Sequence, residues 1–160
     1  MSEPGNWYDN VVFPALLRAA RNSYASMIRA ALAEAGCEDV PRNGIYVIGG
    51  IARSGAPLSR IIEDLRVSKQ AAGQLVDTLV LRGYLERAVD IDDRRRLTVT
   101  LTDRGRAAAA ASRSAVERLE NELMERVGPI YLAHARATLG ALVEMERHSR
   151  AAESEAADES

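Results

Sequence analysis

The 160-residue chain is 47% apolar and 28% charged, with 21 basic groups against 23 acidic ones. At ~100 to 200 residues per domain this length allows a single domain, and the composition excludes a wholly disordered chain. No run approaches the ~18 uninterrupted apolar residues of a membrane span, and MSEPGNWYDN lacks the basic start and apolar core of a secretory signal, so a cytoplasmic protein without membrane contact is expected.

Residues 11 to 35 contain no interior glycine. They repeat Leu16, Leu17, Ala20, Tyr24, Met27, Ile28, Ala31 and Leu32 at intervals of three and four, which predicts one long amphipathic helix stopped by Gly36. Pro41, Asn43 and Gly44 open an apolar piece through Ile51 that reads as helix, although Ile45, Tyr46, Val47 and Ile48 also suit a strand. After a break at Ser54, Gly55, Ala56 and Pro57, the residues Leu58, Ile61, Ile62 and Leu65 mark a short helix, with Arg66 and Val67 as its turn.

The next helix is bounded near 69 and 82 by Ser68, whose hydroxyl caps a first turn, and by Gly83, which tolerates the left-handed conformation past a helix end. Steps of 100° put Ala72, Leu75, Val76 and Leu79 on one side and Gln70, Gly73, Gln74 and Asp77 on the other. Beyond Gly83 the period falls to two. Tyr84 to Val89 forms one strand, Asp90 to Arg94 a polar turn, and Leu97, Val99 and Leu101 alternate with Thr98 and Thr100 on a second strand. Thr102 caps an alanine-rich helix to about Arg126, and Gly128 with Pro129 separates it from a last helix ending near Arg150. Residues 151–160 have no bulky apolar side chain and are expected to form a disordered acidic tail.

Little in this inventory suggests catalysis. One cysteine, Cys37, closes no internal disulfide, and with His134 and His148 far along the chain there is no zinc-ligand spacing, so neither metal nor cofactor is expected. No nucleophile paired with a base, glycine-rich phosphate loop or catalytic carboxylate pair stands out. What does stand out is the order of elements: a short helix, a tight turn, a helix with a polar face and a two-stranded hairpin. This is the layout of a winged helix-turn-helix, whose second helix enters the DNA major groove. Segment 53–106 carries eleven basic groups to eight acidic ones, a mild excess of the sign a nucleic-acid surface needs. Ser68, Lys69, Gln70 and Gln74 are donors on the exposed half of the candidate recognition helix, and glutamine pairs with adenine through two hydrogen bonds. Gly73 leaves the backbone free to approach a duplex. At the hairpin tip, Arg94, Arg95 and Arg96 follow Asp90, Asp92 and Asp93 and are placed to clamp phosphates or enter a narrow minor groove.

Residues 57 to 106, PLSRIIEDLRVSKQAAGQLVDTLVLRGYLERAVDIDDRRRLTVTLTDRGR, resemble the winged-helix core of the multiple-antibiotic-resistance regulator (MarR) family, through SKQAAGQLVD, GYLER, DIDDRR and LTDRG. The resemblance implies a mainly α fold, a winged helix-turn-helix with a two-stranded wing and N- and C-terminal helices that build a homodimer. On this reading 1–150 is one domain, with dimerisation helices at about 11–36 and 103–150 and a DNA-binding lobe at about 53–102. It further implies a regulator, most often a repressor, bound to palindromic double-stranded DNA and released by a small phenolic or aromatic molecule or by oxidation. The family's recognition contacts fall on Ser68, Lys69, Gln70 and Gln74, its wing arginine on Arg94 with Arg95 beside it, and its wing-bracing acid on Asp77, with Arg94 or Arg87 as partner. Thr78, Val80 and Leu81 depart from the pattern, since relatives more often carry charged residues there. Cys37 lies after the first helix and not near its start, which speaks against the peroxide-sensing role known in some members. Trp7, Tyr8, Tyr24 and Tyr46 are candidates to line an aromatic ligand pocket. The rival expectation is a winged helix that binds protein and no DNA, which the small charge excess and the apolar Val80 and Leu81 favour.

Overall fold

The computed structural model describes residues 6–54, 58–89 and 97–158. Among the described residues six helices and one hairpin run in the order α1 (Phe13–Glu34), α2 (Gly44–Ser54), α3 (Leu58–Leu65), α4 (Lys69–Leu81), β1 (Leu85–Val89), β2 (Leu97–Leu101), α5 (Asp103–Val127) and α6 (Pro129–Asp158). The chain is therefore mainly α with a two-stranded antiparallel sheet, a winged helix in element order. It divides into two compact units, residues 1–117 and 118–160.

In the first unit the core forms where the helix-turn-helix meets the wing. Leu32 from α1, Val47 and Ile48 from α2, Ile61 from α3, Leu79 from α4, Leu85 and Leu101 from the strands and Ala108 from α5 are all buried together with Tyr84. The ambiguous run from Ile45 to Ile48 is helical. Val47 and Ile48 are both fully buried there, and Gly50 places its Cα against Ile61, where an added Cβ would come within 3.0 Å of that side chain. A helix supplies that close approach of α2 to α3, and it lets adjacent residues share one buried face, as a strand cannot. Arg66 leaves α3 with φ +54 and its N–H bonded to the Glu63 carbonyl, so the turn between the two helices is tight.

The hairpin pairs Leu85 with Leu101, Arg87 with Val99 and Val89 with Leu97. Thr102 closes it on α5: its Oγ1 donates to the Gly83 carbonyl at 2.6 Å and accepts from the Gly105 N–H at 3.0 Å, acting as the cap of that helix.

The second unit holds the end of α5 and α6. Gly128 at φ +86 ends the one and Pro129 starts the other, with Arg136 bonded to Glu120 at 2.8 Å. Many large apolar side chains here are exposed, among them Ile130, Tyr131, Leu142, Val143 and Met145. One expectation needs correcting: α6 does not stop near Arg150 but continues to Asp158, so residues 151–158 are helical where an acidic disordered tail was expected. The segment lacks core-forming side chains, but its alanines and glutamates are strong helix formers, and propagation from an existing helix needs no new nucleus.

Candidate nucleic-acid interface

α4 owes its start to Ser68, whose Oγ accepts from the Ala71 N–H at 3.1 Å. Its end is set by Gly83 at φ +70, with the Tyr84 N–H returning to the Leu79 carbonyl at 2.9 Å. Ala72, Val76 and Leu79 anchor one face in the core. The opposite face carries Ser68, Lys69, Gln70, Gly73 and Gln74, all exposed. At Gly73 an added Cβ would find no atom within 4 Å, so that position opens on free space. The helix thus presents one cation, two amides and one hydroxyl on a backbone that a duplex can approach closely.

The wing is tied to this helix by Arg87 on β1, whose Nη2 donates to Asp77 Oδ1 on α4. Both side chains are about half exposed or more, so the pair adds at most ~1 kcal/mol of stability. It links β1 to the outer face of α4. Arg94, Arg95 and Arg96 at the tip lie outside the described residues, as do Asp90, Asp92 and Asp93. At the three positions that depart from the family pattern, Thr78 turns its hydroxyl onto the Gln74 carbonyl at 2.7 Å, Val80 is half-buried and Leu81 is 88% exposed. None of them offers a cation to a phosphate.

A cleft of about 550 Å³ lies between α1, α2 and the loop joining them. Tyr24 and Tyr46 line it with Ile28, Leu32, Val40 and Ile45, while Arg21, Arg29 and Arg42 add positive charge and, among the described residues, no acidic side chain joins them. Trp7 and Tyr8 are not part of its lining. They precede α1, meet each other edge to face with ring centroids 5.6 Å apart, and are exposed.

Sequence reading did not single out a polar node just beyond α4. Asp39, in the loop between α1 and α2, accepts hydrogen bonds on its carboxylate from the Tyr84 hydroxyl and from Arg104 Nη2, the latter at 2.8 Å. Its main-chain carbonyl accepts from Arg82 Nη1. Arg104 also donates to the Arg82 carbonyl at 2.6 Å and to the Gly36 carbonyl at 3.3 Å, with its guanidinium 4.4 Å from the Tyr84 ring centroid. The Tyr84 hydroxyl, helped by the charge of Arg104, holds the Asp39 carboxyl below its ordinary range. Burial, with the bond to Asp39, pushes the Tyr84 phenol well above its own. Two of the node's members sit in motifs that the sequence displays, Tyr84 in GYLER and Arg104 in LTDRG.

The fold and this helix-plus-wing surface define a winged-helix protein. Residues 38–96 match the model of the MarR family. Among solved structures the chain resembles the transcriptional repressor CouR bound to a 23-mer DNA duplex, with 22% identity over 89% of this chain and 99% of that one and a TM-score of 0.65. It also resembles MepR of S. aureus in complex with DNA, with 17% identity, coverages of 86% and 98% and a TM-score of 0.68. FabT of Streptococcus pneumoniae in complex with DNA gives 19% identity, 84% and 94% coverage and a TM-score of 0.69. A search of curated proteins returns no match. The match to the MarR family thus covers residues 38–96, in a chain that shares the fold of these three solved structures.

Proposed function

We propose that the chain is a sequence-specific DNA-binding transcription regulator, a homodimeric repressor that binds a palindromic operator and is released by a small aromatic molecule. The observation that carries this reading is the polar face of α4, where Lys69, Gln70 and Gln74 stand exposed around the open Gly73 while Ala72, Val76 and Leu79 root the helix. Gln70 and Gln74 read base edges, Ser68 and Lys69 meet phosphates, and Arg94, Arg95 and Arg96 grip the flanking backbone. Asp77 and Arg87 brace the wing. The DNA complexes of CouR, MepR and FabT support the same use of the fold.

The homodimer reading rests on the apolar side chains left exposed on α6, together with Val12 and Phe13 at the start of α1. Helices 11–36 and 103–150 build the dimer, and the lobe 53–102 meets DNA. The cleft beside Tyr24 and Tyr46 suits an aromatic ring, and Arg21, Arg29 and Arg42 suit an acidic group upon it. Such a ligand releases DNA only by binding better to a dimer whose recognition helices are wrongly spaced. A cytoplasmic site of action agrees with the described residues, where no helix is long and apolar enough to cross a membrane. The exposed Leu81 favours a second reading, a winged helix that docks on protein.

Arg94→Ala separates the two readings. If the wing grips phosphates, the variant binds every duplex more weakly and its log affinity falls less steeply with log salt, by about 0.9 per lost contact. Wild-type protein with no salt-dependent affinity for any duplex would support protein docking instead.

A further inference from the structure

We infer that Asp39 and Arg104 are positioning residues for the recognition helix, which with Arg82 and Tyr84 clasp the end of α4 to the loop that walls the ligand cleft. The inference rests on the DNA-reading assignment of α4 given above, and it concerns how that helix is held and moved. Arg82 is the first residue past α4, and both its side chain and its carbonyl are taken by the clasp, the one by the Asp39 carbonyl and the other by Arg104. Arg104 reaches the loop twice, at the Asp39 carboxylate and at the Gly36 carbonyl. The fork of a guanidinium makes all these contacts from one side chain, which an ammonium cannot do in the same geometry.

The next three residues of the chain, Val40, Pro41 and Arg42, line the cleft. A second tether runs beside the clasp. Gly44, at the start of α2, lies so close to α4 that an added Cβ would stand 2.9 Å from Leu79 Cδ2 and 3.1 Å from Pro41 Cδ. The cleft wall and the end of the recognition helix are therefore joined by hydrogen bonds on one side and by close packing on the other. Packed groups of this kind shift together, since close-packed interiors do not deform continuously. Displacing the loop from the cleft side moves α4, and linkage requires the reverse: a duplex on α4 must steady the loop.

That reverse effect needs no knowledge of the ligand. Amide hydrogen exchange is measured on the full chain with and without a duplex that it selects from a random pool. The amides to follow are Cys37, Val40 and Gly44, which bond the carbonyls of Leu32, Cys37 and Pro41 at 2.7, 3.3 and 2.8 Å. In the wild type the duplex is expected to slow them by about fivefold or more, the lower end of ordinary coupling between sites. In Asp39→Ala and Arg104→Gln the α4 amides should still slow on binding, while the loop amides no longer respond. Affinity should fall about tenfold with an unchanged salt slope, because no phosphate contact is lost. Arg104→Lys keeps the charge without the fork and should recover only part of the response.

Thermal unfolding of each variant shows that the folded protein is being compared. Loop amides that respond to DNA as well in the variants as in the wild type overturn the clasp, and so does a salt slope that drops with Arg104, which would make it a phosphate contact. A wild type that binds its duplex without any loop response overturns the clasp alone. A wild type that selects no duplex overturns the DNA reading beneath it.

Discussion

Two glycines show how differently one residue type is used. At Gly105 an added Cβ would fall 2.1 Å from the Tyr84 carbonyl oxygen, so the first turn of α5 sits directly on the chain entering the wing. Gly105→Ala must push them apart and should cost about 1–3 kcal/mol. At Gly73 the space is open, and Gly73→Ala should stabilise α4 by about 0.5–1 kcal/mol while hindering DNA approach. Urea midpoints at unchanged slope give both signs, and equal midpoints for the two variants would contradict the geometry. Tyr84 makes a separate prediction about pH. The folded chain keeps a phenolic proton that the unfolded chain releases above about pH 10, so this contribution to stability is complete below that value and fades as pH rises toward the folded pKa. Asp39 has the opposite sense, contributing above about pH 4 and losing its share in acid. In an ultraviolet titration Tyr84→Phe should lack the last ionisation step of the wild type and should lose less stability on the alkaline side. A late step that survives the substitution would show that Tyr84 is not the retained phenol.

At the scale of elements, what the sequence reveals is what short-range signals encode. Ser68, the 3.6-residue period and Gly83 delimit α4 almost to the residue, and the alternation from Leu97 to Leu101 gives β2. Both depend on neighbours within one turn or one pleat. The run from Ile45 to Ile48 is ambiguous because its side chains suit either period, and tertiary packing decides for a helix, through the burial of both Val47 and Ile48 and the approach of Gly50 to Ile61. The acidic end of the chain misleads for another reason. Residues 151–158 lack a face to bury, yet they extend a helix already formed, and alanine and glutamate suffice for that. Among the candidate site residues, the polar face of α4 is visible as a pattern of amides and a cation. The clasp is not, because Asp39 comes from the α1–α2 loop, Arg82 and Tyr84 from the link between α4 and β1, and Arg104 from the start of α5, and they meet only in the packed fold. The arginines of the cleft escape for the same reason, while Tyr24 and Tyr46 are noticed simply as aromatics.

For the molecule as a whole, α6 leaves large apolar side chains exposed, and the proposed twofold pair would deliver two copies of α4 to one face of a duplex. Such a pair would require two half-sites related by symmetry, with centres about 34–36 Å apart along the DNA. The most direct test is to let the purified protein and its Gln74→Ala variant each select duplexes from the same random pool, and to compare the enriched sequences. The wild type should enrich an inverted repeat with that spacing, and the variant should lose preference at one symmetry-related pair of positions while keeping the salt slope. Identical sequence preferences from both proteins, or no enrichment by the wild type, would contradict the assignment of α4 as the element that reads DNA.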